Sequence, residues 1–239
     1  LLYTEEGKND FSNLKRIKQF PSRSQFKNFA VNLQNLEDIY KNWIEVQNFI
    51  NLDKEIKFLK THHINCVIDK YKFTDDQNTL GVIHIVRDPR NVLLSIKNHF
   101  SLDDHNKALE FMSKEKHWIG IEKKEEDKFR DNMIPTLISS WNIHYKTWKN
   151  KTKNYLLIKY ENLAKNPEIE FKKITNYLEK LTNKKFDKKK ITRAIETTTF
   201  EYMQKLEDEG FFFENARGHN KDKVKFFNLG QKNDWKKLL

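Results

Sequence analysis

The sequence predicts an α/β fold in which a parallel sheet lies between helices. Three short apolar segments have the length of buried strands, and amphipathic segments at helical spacing separate them. Strands that alternate with helices pair in parallel, because a crossover helix returns the chain to the same end of the sheet. We therefore expect three layers, with helices on both faces of the sheet, in a single domain over residues 1–239.

The first half of the chain supplies two of the strands. Apolar residues recur every three or four positions in Leu33–Phe49, which predicts an amphipathic helix. A short strand, Ile56–Lys60, follows it. The second strand lies in "GVIHIVR" and ends before Pro89. Pro89 suits the first turn of the next helix, "RNVLLSIKNHF", because a backbone N–H at that position would be unpaired.

The second half continues the alternation. "TLISSWNIHYKTWKN" is predicted to be helical, Tyr155–Tyr160 forms the third strand, and "NPEIEFKKITNYLEKL" forms a helix. Ile169 and Leu178 belong to the face of that helix that we expect to point inward. The last predicted helix runs over Lys188–Leu206. The polar stretch Ser101–Pro135 is expected to be irregular.

The net charge of +11 suggests binding to polyanions, but the type of charge argues against a nucleic-acid surface. The excess comes from scattered lysines, as an AT-rich genome would produce. Only seven residues are arginines: Arg16, Arg23, Arg87, Arg90, Arg130, Arg193 and Arg217. A small polyanionic ligand needs only a few of these charges, and nucleic acid is not expected as a partner.

A single cysteine, Cys66, excludes an internal disulfide and fits a reducing, cytoplasmic location. The chain has no run of about 18 apolar residues, so no membrane span is expected. The oligomeric state is not indicated.

The stretch "VIHIVRDPRNVLLSIKNHF" has the features of an anion site. Arg87 lies where the strand ends and the helix begins, and free N–H groups at a helix start favour an anion. Ser95 follows eight residues later, so its hydroxyl can reach an oxygen that the guanidinium holds. The alternative is an ordinary ion pair between Arg87 and Asp88 or a helix carboxylate.

The order of these elements resembles the PAPS-dependent sulfotransferases, which transfer a sulfuryl group from 3′-phosphoadenosine 5′-phosphosulfate (PAPS) to a hydroxyl or amine. The resemblance covers Lys60 to Trp235 and implies a sheet of the P-loop nucleotide-kinase-like type. A strand-end arginine and a helix serine eight residues later bind the 3′-phosphate in this family. Arg87 and Ser95 match that pair.

The segment "LKTHH" carries the catalytic part of the resemblance. The family has a Lys-Thr-His whose histidine is the general base, and Lys60, Thr61 and His62 match it. An imidazole near its ordinary pKa can take a proton from an acceptor hydroxyl at neutral pH. Lys60 is expected to stabilise charge on the transferring group. His63 stands beside His62 and competes for the role. Two adjacent histidines rarely reach one ion, so no metal is expected.

Two further segments resemble the adenine site. "YENLAKNP" is similar to the family's Tyr-Glu-Asp-Leu, which makes Tyr160 an adenine contact. "TTTFEYM" is similar to a Thr-Ser-Phe-x-x-Met segment of the family. The matching residues are Thr198, Thr199, Phe200 and Met203. Aromatic side chains suit a flat ring, although either segment alone would be an ordinary core segment.

The C-terminal "NLGQKNDW" matches the family only in part. Gly230, Asp234 and Trp235 agree with an Arg-Lys-Gly clamp followed by Gly-Asp-Trp, and Gly230 is the expected donor-binding residue. Asn228 and Leu229 stand where the clamp has its two cations. Three residues are candidates for the missing charge: Lys225, Lys232 and Arg217.

One family element is absent from residues 1–239. It is a glycine-containing loop that resembles Pro-Lys-Ser-Gly-Thr-Thr-Trp and holds the 5′-phosphosulfate. Leu1–Tyr3 match the end of the helix that follows this loop, so we expect the loop to precede Leu1 in a longer natural chain.

The resemblance predicts sulfuryl transfer to a small-molecule or carbohydrate acceptor, with PAPS as donor and no metal. The variable segments Ser101–Met133 and Leu206–Phe227 are expected to select the acceptor. Two alternatives remain. One is a P-loop-type small-molecule kinase, which needs Mg²⁺ ligands and a Walker-type loop. The other is a non-catalytic basic module that binds nucleotides or nucleic acid.

Overall fold

The structure is a computed structural model that describes residues 16–121, 134–149, 151–212, 216–217 and 223–239. Helices account for most of the regular structure in these residues. The α-helices are Leu36–Lys41, Trp43–Ile50, Pro89–His99, His105–Ser113, Trp141–Trp148, Tyr160–Lys165, Pro167–Thr182, Lys188–Glu196, Phe200–Asp208 and Trp235–Leu238, and the 3₁₀ helices are Arg23–Gln25 and Gly230–Lys232.

The strands of the described residues form two-stranded sheets. The longest pair joins Val82–Val86 to Tyr155–Lys159, the second and third strands predicted from the sequence. The strand predicted over Ile56–Lys60 is limited to Leu59–Lys60, which pairs in parallel with Lys18–Gln19. Three antiparallel pairs complete the set: Val67–Ile68 with Tyr71–Lys72, Trp118–Ile119 with Thr136–Leu137, and Ala216–Arg217 with Lys223–Val224.

The chain divides into two compact units. The first unit comprises Ile17–His84 and Ser113–Leu156, and the second unit contains Ile85–Met112 and Leu157–Leu239. The Lys60–His62 segment belongs to the first unit, and Arg87 and Ser95 belong to the second. The expectation of a single domain stays a prediction.

The core of the first unit is built around Trp43. Ile39, Trp43 and Val46 are completely buried, as the three- and four-residue spacing of their segment predicts. The predicted Leu33–Phe49 helix is nevertheless broken at Asn42, whose side-chain amide donates to the carbonyl of Asp38 at 2.7 Å. Asparagine competes for backbone hydrogen bonds in this way, so the segment becomes two short helices.

Two local predictions need correction here, one for Ile169 and one for the stretch Ser101–Pro135. Ile169 is 59% exposed, because the buried side of its helix runs through Glu170, Thr175 and Leu178 instead. The stretch Ser101–Pro135, expected to be irregular, contains a helix capped by Asp104, which accepts from the N–H of Lys107 at 2.9 Å. Residues 122–133 of that stretch lie outside the described residues.

The helix predicted over Lys188–Leu206 is two helices, and threonines separate them. Thr197 and Thr198 donate their hydroxyls to carbonyls of the first helix, Arg193 O at 2.8 Å and Ala194 O at 2.6 Å. Thr199 then caps the second helix by accepting from the N–H of Tyr202 at 3.2 Å. Threonine hydroxyls therefore end one helix and begin the next.

Within the described residues, every helix is too short or too polar to cross a lipid bilayer.

Candidate active site

Arg87 is the centre of the site in the second unit. Its two terminal nitrogens donate to the Ser95 hydroxyl at 3.3 Å and to the carbonyl of Gly230 at 3.2 Å. The guanidinium carbon lies 4.3 Å from the centre of the Tyr160 ring, within the range of a cation–π contact. Arg87 therefore contacts three other residues that the sequence analysis selected from distant segments.

Two asparagines complete the surroundings of Ser95. The amide of Asn233 donates to the Ser95 hydroxyl and to the backbone carbonyl of Asn91, both at 3.0 Å. The Ser95 hydroxyl itself donates to the same carbonyl at 3.3 Å. The side chain of Asn91 accepts from the backbone N–H of Trp235 at 3.0 Å. The C-terminal segment is thus joined to the helix that carries Ser95.

Two polar atoms of this network are buried without a hydrogen-bond partner. One is the Nε–H donor of Arg87, and the other is the Oδ1 acceptor of Asn233, whose side chain is 6% exposed. An unpaired buried polar group costs about 1–3 kcal/mol. Such groups are tolerated where a site receives a ligand or a water molecule.

The alternative interpretation, in which Arg87 is part of an ordinary ion pair, is not what the geometry shows. Asp88 is occupied by Arg90, which holds both carboxylate oxygens with its side chain, at 2.9 and 2.6 Å. The Arg90 guanidinium also lies 3.7 Å from the centre of the Trp235 ring. Within the described residues, no carboxylate pairs with Arg87. Its charge is therefore available to an anion.

Gly230 and Phe200 approach each other closely. Gly230 has φ +54°, and a Cβ atom at this position would lie 2.7 to 2.8 Å from the Phe200 ring. Both the left-handed backbone and the lack of space require glycine. The two segments that the sequence analysis linked to the donor nucleotide are thus held in direct contact.

The hydroxyl of Thr198, which the family resemblance places beside the adenine, is engaged by the backbone. Its hydroxyl donates to the carbonyl of Ala194 at 2.6 Å, at the end of the preceding helix. Thr199 is the cap of the next helix, so both threonines position Phe200 at that helix's first turn. Their role as contacts of the donor stays a prediction.

A buried carboxylate fixes the segment that leads to Gly230. Glu207 is 2% exposed and accepts from the backbone N–H groups of Phe226 and Phe227, at 2.7 and 2.9 Å. Gln204 donates to the carbonyl of Phe227 at 2.9 Å. Because Glu207 and Gln204 lie on the helix that begins at Phe200, this helix orients the C-terminal segment.

The three candidate cations for the clamp differ in their surroundings. Lys225 pairs with Asp208 at 2.8 Å, so its charge is partly neutralised. Lys232 ends the Gly230–Lys232 turn. The side chain of Arg217 lies outside the described residues. Lys225, Lys232 and Arg217 stay the predicted candidates for the charge that is missing at Asn228 and Leu229.

The two adjacent histidines of "LKTHH", which lie in the first unit, have different surroundings. His62 is exposed at the end of the Leu59–Lys60 strand, and Lys60 is exposed beside it. His63 is completely buried, and its ring stacks on Phe73 with centroids 4.2 Å apart. The His63 side chain is therefore part of the core, and only His62 reaches solvent.

Burial also changes the acid–base chemistry of His63. Its desolvation lowers the pKa of the imidazole from 6.5 to about 4, so the ring is neutral at pH 7. Nδ1 lies 2.7 Å from the carbonyl of Ile64, and because a carbonyl only accepts, Nδ1 carries the proton. Nε2 is buried without a hydrogen-bond partner. A neutral, enclosed ring cannot exchange protons with an acceptor.

The Trp141–Trp148 helix contacts the backbone of both histidines. His144 Nε2 lies 3.3 Å from the carbonyl of His62, and Trp148 Nε1 donates to the carbonyl of His63 at 2.8 Å. Burial lowers the pKa of His144, which favours the neutral ring. From the sequence, this segment was predicted only to be helical.

Asn91 and Asn233 are the site residues that sequence reasoning missed. Asn91 precedes Ser95 by four residues, so the helical period places both on one face of the helix, a signal that was available. Asn233 stands directly before the recognised Asp-Trp pair. Nothing local indicated that its amide would reach Ser95, which is 138 residues away.

In the part of the chain that the structure describes, no three histidine, cysteine or carboxylate side chains lie close enough together to bind a metal ion.

Comparison with solved structures finds similarity at low sequence identity. The crystal structure of mouse sulfotransferase SULT7A1 complexed with PAP is 21% identical, with a TM-score of 0.49, over 81% of this chain and 65% of that chain. The crystal structure of retinol dehydratase in complex with androsterone and inactive cofactor PAP is 17% identical, with a TM-score of 0.48, over 84% of this chain and 59% of that chain. The present chain thus spans less than two thirds of either protein.

Comparison with protein families gives a match over almost the whole sequence. The model of the sulfotransferase domain matches residues 7–239. This match confirms the resemblance that "LKTHH", "VRDPRNVLLS" and "NLGQKNDW" suggested, and with it the α/β fold class. The chain belongs to the sulfotransferase domain family.

Proposed function

We propose that this chain transfers a sulfuryl group from PAPS to a hydroxyl or amine. Membership of the sulfotransferase domain family supports the reaction class. The proposal rests on the position and the contacts of Arg87. It lies where a strand ends and a helix begins, it contacts Ser95, Gly230 and Tyr160, and no described carboxylate neutralises it.

The residues around Arg87 fit a phosphorylated nucleotide. A guanidinium has five N–H donors, and two terminal nitrogens of Arg87 are each engaged once, which leaves donors for phosphate oxygens. Its buried Nε lacks a partner, as expected of a site that is completed by a ligand. Arg87 and Ser95 would hold the 3′-phosphate, and Tyr160, Thr198, Phe200 and Gly230 would form the surroundings of the nucleoside.

The Ser95 hydroxyl can move its hydrogen bond from the Asn91 carbonyl to a phosphate oxygen at little cost in free energy. Its hydroxyl donates at 3.3 Å to the Asn91 carbonyl, which also accepts from Asn233 at 3.0 Å. If the hydroxyl turns to a phosphate oxygen, that carbonyl keeps a partner. The amide of Asn233 therefore prepares Ser95 for an anion.

When bound, PAPS supplies the sulfuryl group, and the protein supplies position and proton transfer. His62 would take the proton of the acceptor, since it is exposed, whereas the enclosed ring of His63 has a pKa lowered to about 4 by burial. Lys60 would stabilise negative charge on the transferring group. Arg87 and Ser95 would keep the donor in one orientation.

The acceptor is proposed to be a small molecule or carbohydrate that offers a hydroxyl or amine. Trp118 and Phe211 are described residues of the two variable segments that we expect to contact it. The proposed location is the cytoplasm, where the single cysteine, Cys66, would stay reduced.

Titration calorimetry tests the donor site. We expect the protein to bind adenosine 3′,5′-bisphosphate in preference to ATP. Arg87→Ala should weaken that binding at least about tenfold, equivalent to about 1.4 kcal/mol. Arg90→Ala is the matched control, since Arg90 is committed to Asp88 and Trp235. Equal binding of ATP in the presence of Mg²⁺ would favour a kinase instead.

A transfer assay tests the reaction itself. Labelled PAPS is offered with a panel of alcohols, phenols, amines and sugars, using the longest natural chain that contains these residues. His62→Ala should lower the rate of transfer about 10²–10⁴-fold, leave a measurable residual rate, and leave bisphosphate affinity unchanged. Bisphosphate binding without transfer to any acceptor would support the non-catalytic alternative.

A further inference from the structure

The Trp141–Trp148 helix directs two side-chain N–H donors at consecutive carbonyls of the histidine segment. His144 Nε2 lies 3.3 Å from the carbonyl of His62, and Trp148 Nε1 donates to the carbonyl of His63 at 2.8 Å. Residues four apart lie on the same face of a helix, so one face of this helix reaches both peptide groups.

The tautomer of His144 follows from its partner. A backbone carbonyl has no proton to give, so the Nε2 atom that faces the His62 carbonyl must carry one. His144 is held in turn by its own helix, where its backbone N–H donates to the carbonyl of Ser140 at 2.8 Å. A rigid element thus presents a fixed donor to the peptide of His62.

Neighbouring contacts fix the rest of this segment. The N–H of His63 donates to the Thr61 hydroxyl at 3.0 Å, and the N–H of Ile64 donates to the carbonyl of Leu137 at 2.9 Å. The His63 ring is stacked in the core. Of the two imidazoles, the one on the exposed side of this pinned segment is His62.

We propose that His144 is a positioning residue that orients His62 for proton abstraction by holding its peptide carbonyl. The inference rests on the proposed function, in which His62 is the general base. A base is effective only when it is held within about 0.5 Å of its productive place. The peptide carbonyl of His62 is directly joined to the Cα that carries its imidazole, so rotation of this peptide would displace the ring.

Two substitutions at His144 separate the hydrogen bond from the bulk of the side chain. His144→Leu removes the donor, whereas His144→Gln places an amide N–H near the position of Nε2. We expect the leucine variant to lower kcat about tenfold, because a displaced base costs rate. The glutamine variant should restore most of that loss. Bisphosphate affinity and the unfolding midpoint should stay close to wild type in both variants.

A double-mutant cycle tests whether His144 acts through His62. In a His62→Ala background, His144→Leu should cause no further loss of the residual rate, since the group it orients is gone. Wild-type kcat in the leucine variant, no recovery with glutamine, or an additive loss in the His62→Ala background would each overturn the proposal.

Amide hydrogen exchange provides a measurement that does not require turnover. His144→Leu should speed exchange at His63 and Ile64, and His144→Gln should not. If the wild-type chain transfers no sulfuryl group, the proposed function fails. If amide exchange at His63 and Ile64 is unchanged in the leucine variant, the proposal that His144 holds the His62 peptide fails. The two failures are therefore distinguishable.

Discussion

Arg87 and Arg90 stand three residues apart in the same motif and have different surroundings. Arg90 holds Asp88 with two side-chain bonds and lies over the ring of Trp235. Arg87 lies over Tyr160 and contacts Ser95, with no described carboxylate as partner. Because a neutralised guanidinium attracts an anion weakly, we propose Arg87 and not Arg90 for the donor on the basis of its neighbours rather than its charge.

His63 should make the stability of the protein depend on pH. Its pKa is lowered from 6.5 to about 4 by burial, so between these values the unfolded chain binds a proton that the folded chain does not. Stability is therefore fully present above pH 6.5 and falls as the pH drops toward about 4. The shift corresponds to a loss of about 3 kcal/mol.

Denaturant unfolding at a series of pH values checks this expectation. His63→Asn keeps an N–H near the Ile64 carbonyl and removes the titrating group, so its free energy of unfolding should vary less between pH 6.5 and 4 than that of the wild type. The comparison is between slopes, since the smaller side chain also lowers stability at every pH. Identical slopes would contradict the assignment of this effect to His63.

Among the elements, the Phe200–Asp208 helix holds the segment that carries Gly230. Its first residue packs against Gly230, and its buried Glu207 accepts from the backbone of Phe226 and Phe227. The carbonyl of Gly230 accepts from Arg87 at 3.2 Å. The helix thus positions the C-terminal segment whose Gly230 carbonyl contacts Arg87.

Gly230→Ala should lower both stability and bisphosphate affinity. The added methyl would lie 2.7 to 2.8 Å from the Phe200 ring, and φ is +54°. We expect a loss of about 1–3 kcal/mol in unfolding free energy from crowding and backbone strain. Affinity should fall as well, because relief of the clash moves the carbonyl that orients Arg87. Thermal unfolding and calorimetric titration measure the two effects.

Gly210→Ala is the matched control for this prediction. Gly210 also has a positive φ, +83°, but a Cβ atom there would have no neighbour within 4 Å. This variant should lose only the backbone contribution, about 1 kcal/mol, and keep its affinity for the bisphosphate. Equal effects of the two substitutions on affinity would show that contact with Phe200 does not matter.

At the level of the whole chain, some of the positive charge of the described residues lies beside carboxylates. Several lysines are paired with carboxylates, which weakens the field that a polyanion would experience. The pairs are Lys41 with Glu37, Lys173 with Glu170, Lys185 with Glu179, and Lys225 with Asp208. These pairs leave the net charge at +11, but they lower the positive potential beside the paired lysines.

Salt should separate specific from general anion binding. Between about 50 mM and 200 mM salt, affinity for adenosine 3′,5′-bisphosphate should fall less than about tenfold. Any affinity for a single-stranded oligonucleotide should fall far more steeply, because its binding releases many counterions. Fluorescence anisotropy at several salt concentrations measures both. Oligonucleotide binding that persists at the higher salt and exceeds bisphosphate binding would contradict the donor assignment.

Features that depend on residues close in the chain could be predicted from the sequence alone. The strand before Arg87, the helix that begins at Pro89 and the Arg87–Ser95 spacing were all predictable, because local periodicity, proline geometry and helical pitch govern them. Ordered motifs over the chain were also enough to indicate the family, which the match to residues 7–239 confirms.

Tertiary structure decided what depends on distant contacts. His62 and His63 are adjacent and chemically identical, and only packing against Phe73 and Trp43 buries one of them. Asn233 joins Ser95 across 138 residues, and Ile169 continues an apolar pattern yet lies exposed. Burial and hydrogen bonding are properties of the folded surroundings, so a local pattern cannot assign them.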